Sequence, residues 1–227
     1  FVPNFFYINN MYVHLLHANI GARGKNIVVR MQVKDNDTDL AAPALPYICY
    51  PYGNSLVDEI YSTAHYRNKS PTFSDEFKII LPPKLTPKHH LLFTFYNIAI
   101  KKKKVDDVEI PICYAVVPLY SDGRIVVHNL ENSYGVVSLL SKLEPEYVTK
   151  VVNEPSPATM RSPFIIRFNL VSTIYPEDKS ITKFLNIYHT TEDEVDDKTL
   201  VSVLKQLQDL SELLAIQYLP VIINNLM

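Results

Sequence analysis

The chain has 227 residues, 47% of them hydrophobic and 20% charged, with a formal net charge of -2. This composition is that of a globular protein with one substantial core. The near-neutral balance argues against a nucleic-acid binder that acts through its overall charge, so an anion site would have to be local. No apolar run approaches the ~20 residues of a membrane-spanning helix, and two cysteines are too few for a disulfide scaffold. We therefore expect a soluble protein of the reducing cytoplasm.

The first strands are predicted at 11–17 and 27–34, after an irregular apolar lead-in at residues 1–10. Gly21 and Gly24 make the connection between these strands pliable. Arg23 and Lys25 give the same connection two cations and no acid, so it is locally basic.

An acidic loop, Asp35-Asn36-Asp37-Thr38-Asp39, follows the second strand. Several carboxylates at this spacing suit a calcium ion, whereas Asp and Asn also favour solvated turns on their own. An EF-hand is excluded because the loop lacks the required glycine and the closing glutamate. The solvated turn is the favoured interpretation, and we expect calcium-independent behaviour.

The two strongest strand patterns, 73–81 and 90–100, are joined by a turn that contains three prolines. The first pattern alternates with a period near two, as a half-buried strand needs. In the second, apolar residues occupy both faces, with Leu92 and Tyr96 on one and Phe93 on the other. A strand covered on both sides is central to a sandwich.

Further strands are predicted on both sides of this pair, at 57–66, 110–119, 136–143 and 164–171. A tight turn at 121–124 leads into one more apolar run. Residues 45–50 form a short aromatic piece that we do not count as a full strand. About eight strands at near-regular spacing predict a mainly β fold, an antiparallel sandwich.

Beyond residue 175 the apolar residues recur at helical spacing. Helices are predicted at about 178–190 and 198–225, with an acidic linker between them, and Pro220 should kink or end the second. A further apolar strip at 219–223 leads us to expect that this helix packs on the sandwich or on another copy of the chain.

The sequence around the central strands resembles known families at two levels. Asn68-x-x-Pro71-x-Phe73-x-Asp75-Glu76-Phe77 is similar to the signature before the fourth strand of C2 domains. A narrower resemblance is to the C2-like first homology region of the DOCK (dedicator of cytokinesis) family of Rho-GTPase exchange factors, above all to its Zizimin-like branches. It is carried by the stretches 24–29, 75–79 with 88–96, and 117–124.

The resemblance implies three parts: the lead-in at 1–10, an eight-stranded C2-type β-sandwich at 11–175, and a helical extension at 176–227 that begins a helical-repeat scaffold. In the DOCK family the corresponding domain binds phosphoinositides and recruits the exchange factor to membranes. The exchange chemistry belongs to a later helical domain. Rho-family GTPases are therefore expected partners only through other parts of the parent protein, of which this chain, beginning at Phe1, is expected to be a piece.

The predicted strand order gathers cations at one end of the sandwich. When successive strands are neighbours, alternate connections lie at the same end, so 18–26, 67–72 and 101–109 should lie together, opposite the acidic loop. A full extra strand at 45–50 would break this parity. The candidate lipid-binding residues are Arg23, Lys25, Lys101, Lys102, Lys103 and Lys104, with Arg67 and Lys69 as a second ring.

Such a basic end has three interpretations: a solvated charge run, contact with anionic lipid headgroups, or contact with an acidic protein. Each surface cation contributes about 1 kcal/mol near an anionic leaflet, and the family resemblance favours the lipid. The alternative function is a protein-interaction scaffold that joins neighbouring domains or protomers, with self-association through the C-terminal helix.

No pattern of catalytic or metal-binding residues stands out. His14 and His17 are three apart on a predicted strand, so they point to opposite faces and cannot share a metal. The sequence holds no CxxC, HExxH or GxSxG, and no nucleophile has an adjacent candidate base. We expect no catalysis, no cofactor, no metal and no nucleic-acid partner.

Overall fold

A computed structural model describes the larger part of the chain, and the chain divides into two compact units, 10–169 and 1–9 with 170–227. The described residues are 8–21, 24, 26–98, 109–121, 124–126, 134–153, 163–174, 178, 180, 181, 183, 184, 197–210, 212, 215, 216, 218, 219, 222 and 223.

The described residues form twelve strands in three sheets. In chain order the strands are β1 (Asn9–Ala18), β2 (Ile27–Lys34), β3 (Ile48–Cys49), β4 (Leu56–Val57), β5 (Glu59–Tyr61), β6 (Glu76–Ile80), β7 (His90–Ile98), β8 (Glu109–Pro118), β9 (Tyr120–Ser121), β10 (Arg124–Ile125), β11 (Tyr134–Ser138) and β12 (Pro163–Ser172). One sheet has the order β11-β12-β1-β6-β3-β4 and the other has the order β5-β2-β7-β8, while β9 and β10 form a small hairpin. The protein is therefore mainly β, with the two antiparallel sheets of a C2-type sandwich, as predicted. The predicted number of eight strands is too low, because the described residues also form several strands of only two or three residues.

The core lies between the two large sheets. Along β1 the buried and half-buried residues alternate, so that Met11, Val13 and Leu15 face inward. Phe93 of β7 packs edge to face on Phe164 of β12, with ring centroids 5.2 Å apart. Aromatic pairs of this geometry stabilise a core beyond their buried area, and this pair joins one sheet to the other.

The outer face of β7 is covered by a helix that the sequence analysis did not predict, α1 (Tyr147–Asn153). Tyr147 and Val148 form a buried cluster with Leu92 of β7 and Val116 of β8. This cover is the physical reason why β7 is apolar on both faces, as predicted.

The predicted strand at 57–66 is wrong as a continuous element. Leu56–Val57 pairs with β3 in one sheet, and Glu59–Tyr61 pairs with β2 in the other. The exclusion of a strand at 45–50 is also wrong, because β3 lies there and Leu45 bridges Val33. A hydrogen bond from Tyr50 N–H to the Ser55 carbonyl (3.0 Å) closes the hairpin between β3 and β4. The strands predicted at 73–81 and 136–143 are observed as the shorter β6 and the earlier β11.

The smaller unit joins the two termini of the described chain by hydrogen bonds. The Ser172 hydroxyl donates to Asn9 Oδ1 and the Tyr218 hydroxyl donates to the Ser172 carbonyl, both at 2.7 Å. Described residues within 180–184 are helical, and α2 (Asp197–Leu207) ends in a turn at 208–210 before further helical residues. The predicted single helix at 198–225 is therefore interrupted, and Pro220 lies outside the described residues.

Candidate functional site at one end of the sandwich

Three connections between strands start or end at the same end of the sandwich. Ile27, the first residue of β2, pairs with Asn97 of β7 and bridges His65. Ile98, the last residue of β7, pairs with Glu109, the first residue of β8. We call this the cationic end, defined by the end of β1, the start of β2, the segment 65–72, the end of β7 and the start of β8.

The strand at 45–50 does not change the end of the sandwich at which the later connections lie. The chain adds two short strands there instead of one, because β3 and β4 run antiparallel as a hairpin. An even number of added strands leaves the later connections at the predicted ends. The strand ends that flank all three predicted cationic connections thus lie together at the cationic end.

The first two connections are tied to each other through the backbone. Ile20 N–H donates to the Lys69 carbonyl (2.9 Å) and Ala18 N–H donates to the Pro71 carbonyl (3.0 Å). A contact between His17 Nε2 and Ser70 Oγ, 2.9 Å apart, adds a side-chain link. Segment 65–72 is therefore fixed against the end of β1, although its cationic side chains are exposed.

Arg67 and Lys69 are the exposed cations of this segment. The Arg67 guanidinium lies over the ring of Tyr66, 5.1 Å from its centroid, and Tyr66 is itself 60% exposed. The ion pairs of the described residues are His14 with Glu76, Arg30 with Glu59, and Lys150 with Glu144, so neither Arg67 nor Lys69 pairs with a described carboxylate. Both cations can meet an anion from outside the chain.

Six of the eight predicted lipid-binding residues lie outside the described residues. They are Arg23, Lys25, Lys101, Lys102, Lys103 and Lys104. Their described neighbours belong to the cationic end: Gly24 lies between the first two, and Ile98 and Glu109 flank the lysine run. Gly24 is packed tightly, since a Cβ there would come within 2.8 Å of Ile112 Cδ1.

The opposite end carries the acidic loop, the start of β7 and the start of α1, and we call it the acidic end. Lys34 pairs with His90 in the sheet, and Glu146 N–H donates to the Asp37 carbonyl at 2.9 Å. In the loop, Asn36 Oδ1 accepts from Thr38 N–H (2.9 Å) in a local turn. Among the described residues no group of three or more His, Cys, Asp or Glu side chains is placed to hold a metal ion.

Buried polar groups at the acidic end satisfy one another. His90 Nδ1 lies 2.6 Å from the Lys88 carbonyl, so this nitrogen carries the proton and Nε2 accepts from the Tyr147 hydroxyl at 2.7 Å. Lys34 Nζ donates to the Ala42 carbonyl at 2.9 Å. Burial lowers the pKa of His90 and of Lys34. The pKa of Tyr147 is raised, mainly by burial and to a smaller extent by the negative charge of Asp37.

This cluster was missed from the sequence. His90 and Tyr147 are 57 residues apart, and each stands in a segment where nothing local indicates a partner. The one sequence signal was a polar histidine at the start of an apolar strand. Its two ring bonds make it a structural residue that holds α1 to β7.

Comparison with known proteins agrees with this fold. A family model described as the C2 domain in Dock180 and Zizimin proteins matches residues 4–180. The human dedicator of cytokinesis protein 8 is 33% identical over 207 residues, 86% of this chain and 10% of that protein. The human dedicator of cytokinesis protein 9 is 29% identical over 246 residues, 99% of this chain and 12% of that protein. The chain thus spans only a small part of the curated relatives it matches.

Among solved structures, a C2 domain of plant extended synaptotagmin 1 is similar at a TM-score of 0.40 and 12% identity, over 74% of this chain and 97% of that one. The matched family description names both Dock180 and Zizimin proteins, and the narrower assignment to a Zizimin-like branch stays a prediction. No helix among the described residues is long and apolar enough to cross a membrane. The match over residues 4–180 covers most of the chain, and the chain belongs to the family of C2 domains found in Dock180 and Zizimin proteins.

Proposed function

We propose that this domain is a peripheral phosphoinositide-binding module. The observation that carries the proposal is the convergence, at the cationic end, of the three connections that hold the predicted lipid-binding residues. The acidic loop lies at the other end, so its carboxylates are remote from these connections.

Phosphate recognition suits the exposed cations of this end. Charge-assisted hydrogen bonds from guanidinium and ammonium groups to phosphate are among the stronger polar contacts. Arg67 and Lys69 carry these groups two residues apart on a segment whose backbone is fixed. A fixed segment keeps its donors in place, which lowers the ordering cost of binding a headgroup with clustered phosphates.

The parent protein is proposed to be a guanine nucleotide exchange factor for Rho-family GTPases, which this domain recruits from the cytoplasm to a membrane. The support is the family membership of the chain and the relatives' name, dedicator of cytokinesis. Exchange itself is assigned to parts of the parent protein outside these residues.

A second function, a scaffold that joins a neighbouring domain or a second copy, is supported by the helical unit. Ile216, Leu219 and Ile223 are each more than 40% exposed there. Contiguous exposed apolar residues are typical of protein contact sites. The lipid test below separates the two functions.

The test is co-sedimentation with liposomes that carry one phosphoinositide each, compared with phosphatidylserine liposomes of matched charge. Wild type should pellet with at least one phosphoinositide. Arg67→Ala/Lys69→Ala removes two surface cations worth about 1 kcal/mol each near an anionic leaflet, so binding should weaken roughly 30-fold. Arg23→Ala/Lys25→Ala should weaken binding similarly.

The control is Lys84→Ala/Lys88→Ala, which removes two exposed lysines at the acidic end and changes the net charge equally. If the site is local, this control binds as wild type does. Equal loss in both double variants would indicate attraction by total charge, which salt screens over about 8 Å at physiological ionic strength. If wild type binds no anionic lipid at physiological salt, the phosphoinositide function is wrong and the scaffold function is favoured.

A further inference from the structure

Asn26, a half-buried residue just before β2, joins three segments of the cationic end. Its side-chain Nδ2 donates to the Ile98 carbonyl at 2.9 Å, and its Oδ1 accepts from Arg67 N–H at 3.1 Å. Its own N–H donates to Asn97 Oδ1 at 3.1 Å, and its carbonyl accepts from Ile98 N–H at 2.9 Å. Asn26 thus connects the start of β2 with segment 65–72 and with the end of β7.

The bond to Arg67 matters because of that residue's backbone conformation. Arg67 has a φ of 50°, in the left-handed region that residues with a side chain rarely adopt. A residue held there persists when its surroundings fix it. Asn26 Oδ1 is the acceptor for the Arg67 N–H, and it therefore helps to set the direction in which the Arg67 side chain leaves the backbone.

The chain on either side of Asn26 leaves little freedom for the first connection. Gly24 packs against Ile27 and Ile112, where a Cβ would meet each Cδ1 at 2.8 Å. Ile20 N–H is bonded to the Lys69 carbonyl at 2.9 Å. The described parts of the first connection are therefore linked to segment 65–72 at three points, Ala18, Ile20 and Asn26.

We propose that Asn26 is the positioning residue of the cationic end and sets its selectivity among anionic lipids. The inference rests on the proposed phosphoinositide function. A headgroup with clustered phosphates requires cations at fixed spacing, whereas a bilayer of singly charged lipids responds to total charge. An amide supplies a donor and an acceptor from the same planar group, so neither Ala nor Asp can hold both segments.

The experiment compares Asn26→Ala with Asn36→Ala. Asn36 Oδ1 accepts from Thr38 N–H (2.9 Å) and Asp39 N–H (3.2 Å) in the acidic loop, so this variant removes the same atoms and two hydrogen bonds at the other end. Neither substitution changes the net charge. Each variant is bound to liposomes with single phosphoinositides and to phosphatidylserine liposomes of matched charge, well below its melting temperature.

Asn26→Ala should lose about tenfold of the preference for phosphoinositide over phosphatidylserine, the effect of removing two hydrogen bonds of ordinary strength. Its binding to phosphatidylserine liposomes should match wild type, which excludes unfolding as the cause because an unfolded domain would lose both. Asn36→Ala should keep the wild-type preference. A preference that survives in Asn26→Ala overturns the assignment.

Amide hydrogen exchange tests the positioning role without any lipid. In Asn26→Ala the exchange rates at Arg67 and Ile98 should diverge. The Arg67 N–H loses its acceptor, Asn26 Oδ1, and should exchange faster, whereas the Ile98 N–H keeps the Asn26 backbone carbonyl and should change little. In Asn36→Ala they should not change. Unchanged exchange at Arg67 overturns the role of Asn26, whereas a wild type with no phosphoinositide preference overturns the proposed function; the two failures are therefore distinct.

Discussion

At the acidic end buried polar side chains are bonded to each other or to backbone carbonyls, whereas at the cationic end the bonds fix the backbone and leave charged side chains in solvent. His90 is fully buried and uses both ring nitrogens, one of them toward Tyr147. Arg67 is bonded through its N–H, and its guanidinium lies over the exposed ring of Tyr66. Satisfied buried groups stabilise a fold, while fixed segments with exposed cations present charge to a partner.

Among the described residues, each end also contains one non-glycine residue with a positive φ, Arg67 at 50° and Glu146 at 63°. Each donates its N–H to a distant residue, Arg67 to Asn26 Oδ1 and Glu146 to the Asp37 carbonyl. The acceptor at the acidic end is backbone and cannot be removed by substitution. The acceptor at the cationic end is a side chain, so the geometry of this end depends on one replaceable residue.

Tyr147→Ala should produce the largest change, a loss of about 3–5 kcal/mol in the free energy of unfolding, because it removes a buried aromatic ring. It also leaves His90 Nε2 without its donor. Urea denaturation measures the loss. The control is Tyr52→Ala, whose ring is 90% exposed and whose removal should change stability by at most ~0.5 kcal/mol.

If Tyr147→Ala is as stable as Tyr52→Ala, the polar cluster of the acidic end does not stabilise the fold. In the lipid assay, the fraction of Tyr147→Ala that remains folded should retain the phosphoinositide preference of wild type. A lost preference in folded protein would show that the two ends are coupled.

Acid should destabilise the protein through the histidines of the acidic end. Burial lowers the pKa of both His89 and His90 below that of a histidine in the unfolded chain, about 6.5. The unfolded state therefore takes up protons first as pH falls, and the stabilisation present above that pKa is lost between about pH 6.5 and the lower folded values.

The free energy of unfolding, measured by urea titration from pH 7.5 to about pH 5.5, should decrease with acidification. His90→Gln has no titrating group and its side-chain oxygen can accept from Tyr147, so its pH dependence should be shallower than that of wild type. A stability that is flat or rises on acidification over this range contradicts the prediction. Steeper acid loss in His90→Gln would exclude His90 as a source.

The sequence predicted the sandwich because its central strands carry their own pattern. The alternation in β1 and the two-sided apolar run of β7 are local signals, and burial follows them. The same reasoning failed at 57–66, which was predicted as one strand although the chain crosses from one sheet to the other between Val57 and Glu59. Such a crossing depends on which strands the two halves pair with, and the local sequence at 57–66 does not show those partners.

Helix α1 and the Asn26 bonds were beyond the sequence for a related reason. α1 has seven residues, too few for a stable helix on its own, and it depends on packing against Leu92 and Val116. Asn26 bonds to residues 41 and 72 positions away. Counting strands was enough to predict at which end of the sandwich the cationic connections lie. Asn26, which bonds these connections to one another, could be identified only from the three-dimensional structure.

Arg67→Gly should have the smallest effect on stability, and the effect should be favourable relative to Arg67→Ala. Glycine adopts a φ of 50° without strain, whereas alanine keeps the strain of the wild-type arginine, so Arg67→Gly should be more stable than Arg67→Ala by about 1 kcal/mol. Both lose one cation, so both should bind phosphoinositide liposomes about fivefold more weakly than wild type. Arg67→Lys keeps the charge and should bind more tightly than either. Urea denaturation and liposome binding on the three variants then separate backbone geometry from charge. Equal stability of the Ala and Gly variants would mean that the left-handed backbone of Arg67 does not destabilise the fold. Binding of Arg67→Gly at the wild-type level would show that Arg67 is not part of the lipid site.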